Sequence, residues 1–150
     1  MTDTKPVREV QINMRKATGL AGLAPDGSHC LAPAALLEEA QHVVDGAALL
    51  SVAEQVRAAA RMRAVLGELI PVVDGMARRC PEGDSARAVA LLSVGEARRR
   101  MDAGPRSLDA ARYAERMGRS VMAMCCLVGR LRAEAAALSK ALTAESGFSS

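Results

Sequence analysis

From Leu108 to Leu142, apolar side chains return every three or four residues: Leu108, Ala111, Ala114, Met117, Val121, Met124, Val128, Leu131, Ala135, Leu138 and Leu142. That interval is close to the 3.5-residue repeat of a helix face, and it is not the strict alternation of a half-buried strand. Unbroken, such a helix spans roughly 50 Å at 1.5 Å per residue, about twice what a four-helix body needs. The part beyond Gly129 must therefore fold back or project an apolar seam that needs a partner.

The rest of the chain supplies shorter helices to pack on this one. Pro33 suits a first-turn position, and Ala34, Leu37, Gln41 and Val44 follow at helical spacing before Asp45-Gly46 ends the element. Ser51-Val52-Ala53-Glu54 is a capping box. Val52, Val56, Ala59, Met62, Leu66, Leu69, Val73 and Met76 then form one face, with Arg57, Arg61 and Glu68 elsewhere. Pro71 costs ~3 kcal/mol inside a helix and frees a carbonyl near Gly67. Either a kink at Gly67–Ile70 or two stacked segments is predicted. After the turn at Cys80-Pro81-Glu82-Gly83, Asp84 or Ser85 caps a helix to about Asp102. Its apolar residues Val89, Leu91, Leu92, Val94 and Met101 wrap broadly, which predicts burial on more than one side. Gly95 within it predicts a close neighbour. Gly104-Pro105 is the stop, and Ser107 is the expected cap of the long helix.

Strong helix formers dominate, Tyr113 and Phe148 are the only aromatic residues, and half the chain is apolar. The core must be filled by Leu, Val and Met, with Ala admitting close helix approach. Residues 1–32 lack periodicity and carry Pro6, Gly19, Gly22, Pro25 and Gly27. The sequence thus reads as all-α: an up-and-down helical bundle of four main helices with a long C-terminal helix. A flexible N-terminal arm is expected over 1–32, the helical body over 33–144 and a disordered tail over 145–150.

The net charge of +3 is unevenly spread: residues 1–56 sum to −3, residues 57–132 to +7 and residues 133–150 to −1. A basic middle favours an acidic partner, although a solvated bundle surface in an Arg-rich chain has the same look. The four cysteines, Cys30, Cys80, Cys125 and Cys126, form no disulfide framework. Ala17–Ala24 is weakly apolar and holds two glycines, so it does not read as a signal or transit peptide. No stretch reaches the ~20 apolar residues of a membrane helix. The expectation is a reduced, cytoplasmic protein with no membrane partner.

Residues Arg57 to Arg132 resemble an uncharacterised family of small helical proteins from high-GC bacteria, labelled natural-product biosynthesis proteins. The resemblance rests on Leu66, Leu69-Ile70-Pro71-Val72-Val73, Val94-Gly95-Glu96-Ala97-Arg98, and Ala114…Arg119-Ser120-Val121…Ala123-Met124-Cys125. The family pattern follows the late cysteine with acidic, His and aromatic residues. Here Cys126-Leu127-Val128-Gly129 stands instead, so any acid–base or metal role of that cluster is missing at these positions. The resemblance implies a setting and no reaction.

Chemistry-bearing constellations are sparse. His29, Cys30, His42 and Cys80 lack the tight ligand pairs of structural zinc sites. Adjacent Cys125 and Cys126 lack the Cys-x-x-Cys helix start of a redox pair. Glu96 with Arg99 and Arg100 is a helix-stabilising group, or, if buried against Arg116 or Arg119, a polar anchor inside a pocket. Arg112, Arg116 and Arg119 share a helix face and could contact phosphates or an acidic partner. No aromatic platform or groove-entering motif accompanies them, so nucleic acid is disfavoured. No phosphate loop, nucleophile elbow or paired carboxylates are present. No catalytic residue, metal or cofactor is assigned. The leading expectation is a non-enzymatic accessory or regulatory protein acting by helix-mediated association, including with itself, with Leu131, Leu138 and Leu142 at the interface. The alternatives are an auxiliary enzyme or binder of a hydrophobic intermediate, with Glu96 or an arginine as anchor, and a nucleic-acid-associated regulator using the Arg face.

Overall fold

A computed structural model describes residues 32–106 and 108–147. The chain divides into two units, Met1–Ala32 and Pro33–Ser150, and the arm expected over 1–32 falls outside the described residues apart from Ala32. The second unit is all-α. Its helices are α1 (Pro33–Gly46), α2 (Val52–Arg79), α3 (Ser85–Ala103) and α4 (Ala110–Ser146), with a 3-10 turn, Ala47–Leu49, after α1. Among the described residues there is no strand.

Local chemistry sets the helix ends. Ser51 Oγ accepts from the Glu54 amide at 3.3 Å and the Glu54 carboxylate accepts from the Ser51 amide at 3.1 Å, the reciprocal box that opens α2. Gln55 Nε2 donates to the carbonyls of Ala47 and Leu50, at 2.9 and 3.1 Å, and so staples the α1–α2 link. Arg87 donates to the Cys80 carbonyl at 2.9 Å, satisfying the end of α2. Asp84 caps α3. Gly104, at φ +62, closes α3 with a backbone few side chains adopt. Asp109, not Ser107, caps α4: its carboxylate accepts from the Arg112 amide at 2.8 Å, so the helix begins at Ala110. Ser107 lies outside the described residues.

Side-chain contacts orient the helices. Arg63 of α2 reaches the Met101 carbonyl at the end of α3, at 2.7 Å, while Arg87 near the start of α3 reaches the end of α2. Arg100 reaches Ser120 of α4, and Asp84 lies beside Glu134. Glu39 of α1 grips Arg61 of α2 at 2.9 Å. Each helix therefore runs antiparallel to the one before it. α4 is the hub: it packs most extensively on α2, then on α1, and least on α3. Met62, Leu66, Leu69, Met117, Met124 and Leu131 are fully buried between them. At ~1.5–3 kcal/mol each, they outweigh the exposed ion pairs at ~0–1 kcal/mol.

Several sequence expectations are corrected. In α1 the buried residues are Leu36 and Ala40, whereas Ala34 and Gln41 are exposed and Gln41 bonds Asp45. α2 continues unbroken through Pro71 and is not two segments. Pro71 and Gly67 both face solvent, so water can reach the carbonyl that proline leaves without a partner. The α2 face is buried only from Ala59 onward, with Val52 and Val56 exposed. In α3 only small residues and one valine are buried, namely Ala86, Ala90, Val94 and Ala97. Leu92 is 75 % exposed, and a Cβ at Gly95 would meet nothing within 4 Å. The close approach is at Gly118, where a Cβ would stand 3.0 Å from Val44 Cγ2 and 3.3 Å from the Ala40 carbonyl of α1. α4 carries its helix through Ser146, beyond residue 144.

Candidate functional site

Two features of the hub helix could serve a function: its contact with α3, and its far end. At the first, the narrow alanine face of α3 meets α4 over only a short zone. A groove of about 400 Å³ remains beside it, with Leu92, Ala97, Ala123 and Met124 as apolar wall and Glu96, Arg99, Arg100, Ser93 and Ser120 as polar rim. Glu96 does not face Arg116 or Arg119. Its half-exposed carboxylate takes Arg99 Nη2 at 2.8 Å and Arg100 Nε at 3.0 Å, both from its own helix. The hydrogen bond from Arg99 and then the charge of Arg100 hold this carboxyl below the usual glutamate range. Arg100 makes the crossing to α4, donating at 3.2 Å to Ser120 Oγ. That hydroxyl is buried, and it donates in turn to the Arg116 carbonyl at 3.0 Å. From the sequence Ser120 entered only as part of the Arg119-Ser120-Val121 block of the resemblance, with no role assigned to it. The available signal was a polar side chain one residue before Val121 and three after Met117, on the margin of a buried seam.

Arg112, Arg116 and Arg119, three of the arginines of α4, are all exposed. Arg112 lies 3.9 Å from Asp109, and Arg116 and Arg119 form no ion pair among the described residues. Cys125 is buried, and burial, with the neighbouring Cys126 second, pushes its thiol up to about 11. Cys126 is exposed, so the two adjacent thiols are presented to different media. His42 is exposed beside Glu38, and His29 and Cys30 lie outside the described residues.

Sequence reasoning also missed the meeting of Cys80, Asp84 and Glu134, whose ligand-capable atoms lie within 4.8 Å of one another where α2, α3 and α4 converge. Asp84 is engaged as a helix cap and the Cys80 thiol donates to the Met76 carbonyl at 3.5 Å. Burial, then the charges of Asp84 and Glu134, raise that thiol above its ordinary value against the opposing Arg87. The thiol's hydrogen bond goes to Met76 and to neither carboxylate.

The far end of α4 is the second feature. Leu131 is 2 % exposed and belongs to the chain's own core, so it is not available to a partner. From Arg132 onward every described residue is exposed except the half-buried Glu134. Leu138 and Leu142 are 45 % and 65 % exposed on this projecting segment. No helix among the described residues is long and apolar enough to cross a membrane.

An antiparallel helical body with an overhanging last helix defines the class of protein: a small all-α bundle without a recognisable catalytic constellation among its described residues. The chain belongs to a family of unknown function, DUF6415, which matches residues 34–133. The matched span starts with α1, includes all of Arg57 to Arg132, and ends two residues after Leu131. No curated protein matches the chain, and no solved structure does.

Proposed function

We propose that the protein is a non-enzymatic association module whose projecting end of α4 pairs with the same segment of a second copy. The observation that carries this reading is the continuation of α4 past its last core residue, with Leu138 and Leu142 left in water on one face. The resemblance of the central blocks supports an accessory role in a natural-product biosynthesis setting.

Charge selects the direction of pairing. In a parallel pair the residues that extend the Leu131–Leu138 seam face their own copies, so Glu145 would meet Glu145 at the interface. An antiparallel pair centred near Leu138 instead brings Glu145 beside Arg132 of the other copy. Burying Leu138 and Leu142 on both copies contributes roughly 3–6 kcal/mol. That does not by itself outweigh an association cost of ~4–15 kcal/mol, so the Arg132–Glu145 pairs and the flanking alanine surface must add to it, and the dimer is weak, with Kd on the order of 1 mM.

Sedimentation velocity from about 10 μM to 1 mM should show monomer converting to dimer over this range. Leu138→Glu together with Leu142→Glu should hold the chain monomeric without altering its thermal midpoint. Glu145→Arg should weaken the dimer, and adding Arg132→Glu should restore it. A particle that stays monomeric to 1 mM sinks the proposal, as does a dimer indifferent to the two leucine changes.

A further inference from the structure

We propose that the groove between α3 and α4 is a binding site for an aliphatic carboxylate, with the chain lying along Leu92, Ala123 and Met124 and the headgroup held by Arg99 and Arg100. This does not rest on self-association, since the overhang contributes nothing to the groove.

The packing explains why space is there. α3 turns only Ala86, Ala90, Val94 and Ala97 inward. These short side chains cannot fill the angle beside α4, and the larger Leu92 remains 75 % exposed at the groove's edge. The resulting volume, about 400 Å³, falls in the ~300–1,000 Å³ range of small-molecule sites. Its floor is apolar, with Met124 and Ala97 both buried. The apolar surface that a hydrocarbon chain can dehydrate is that of the exposed Leu92 and Ala123, with Met124 beneath them.

The rim carries the specificity. Glu96 is one carboxylate shared by two guanidinium groups, so the cluster keeps one net positive charge. Each guanidinium has five N–H donors. Among the described residues Arg99 uses one side-chain hydrogen bond, to Glu96, and Arg100 uses two, to Glu96 and Ser120. The remaining donors suit a second carboxylate, which arginine recognises by paired, charge-assisted hydrogen bonds. Ser120 keeps Arg100 directed across the groove, because its hydroxyl is itself anchored on the Arg116 carbonyl. A neutral alcohol of the same chain length would gain the apolar contact but not the charge. A short carboxylate would gain the charge but not the apolar contact.

The test uses the full chain with decanoate, decanol and acetate as probes, followed by calorimetry and by the methyl signals of isotope-labelled methionine. Decanoate should bind with Kd below ~1 mM and move the Met124 methyl, with decanol and acetate each at least about tenfold weaker. Arg99→Gln, a change at an exposed side chain, should weaken decanoate about fivefold or more and leave decanol unchanged. Ala123→Trp, which fills the groove from an exposed position, should abolish decanoate binding. Should that variant unfold, the Arg99→Gln comparison and the Met124 signal decide the matter alone. Equal affinity for decanoate and decanol, a response confined to methionines other than Met124, or no binding up to about 10 mM would overturn the assignment.

Discussion

Single residues divide the helix glycines into two kinds that sequence could not separate. Gly95 sits mid-helix with open space where a Cβ would be, whereas Gly118 lies against Val44 and the Ala40 carbonyl. Gly95→Ala should raise stability by about 0.5–1 kcal/mol from helix propensity alone. At Gly118 the same gain is opposed by contact with α1, and overpacking costs ~1–3 kcal/mol. Urea denaturation should therefore show no gain for Gly118→Ala and a clear loss for Gly118→Val. An equal gain at both sites would mean that α1 does not cross α4 there. The thiols are a second case. Cys125, raised from 9.0 to about 11 by burial, should resist iodoacetamide at pH 8 while Cys126 is labelled, as peptide mass spectrometry can resolve. A raised pKa means that the stability contributed by the neutral thiol is fully present below about pH 9. It is lost as pH rises through about 11. The unfolding midpoint should fall across that window, and Cys125→Ala should flatten the fall.

At the scale of elements, capping chemistry was the most legible part of the sequence. The Ser51–Glu54 box and the Gly104 stop act within a few residues of themselves, so no tertiary information is needed to read them. Faces were legible only where large residues recur without competition, as in α2 from Ala59 and in α4 to Leu131. In α3 the apolar residues are distributed around the helix, and periodicity alone gave no reason to prefer alanines over Leu92. α4 itself has two parts with different roles. Removing residues 136–150 deletes described side chains that are all exposed, and should change unfolding free energy by no more than about 0.5 kcal/mol. Leu131→Ala, at the last core position, should cost ~2–5 kcal/mol. Chemical denaturation of the two variants separates the body from its overhang. A large loss on truncation would show that the distal segment stabilises its own chain.

Across the whole molecule, α4 organises the fold because it alone has long contacts with both α1 and α2 and a further contact with α3. Arg63 ties three helices at one end, donating to the Met101 carbonyl of α3 and, at 3.0 Å, to the Tyr113 hydroxyl of α4. Tyr113 is the aromatic residue of the body, and its single hydroxyl finds its partner through this long-range contact. Neither the Arg63 junction nor the Arg100–Ser120 crossing lies at a spacing that sequence can detect. Both join residues at least twenty positions apart.

What the sequence determined by itself was the all-α class, the ends of α2 and α3 and the excess length of α4. Each follows from the local propensity and short-range periodicity of the backbone. Only the tertiary structure decided which faces are inside, that Leu131 is core while Leu138 and Leu142 are not, and that a groove remains beside α3. Those outcomes depend on which helix lies opposite. Burial is a property of two surfaces in contact, and one strand of sequence describes only one of them.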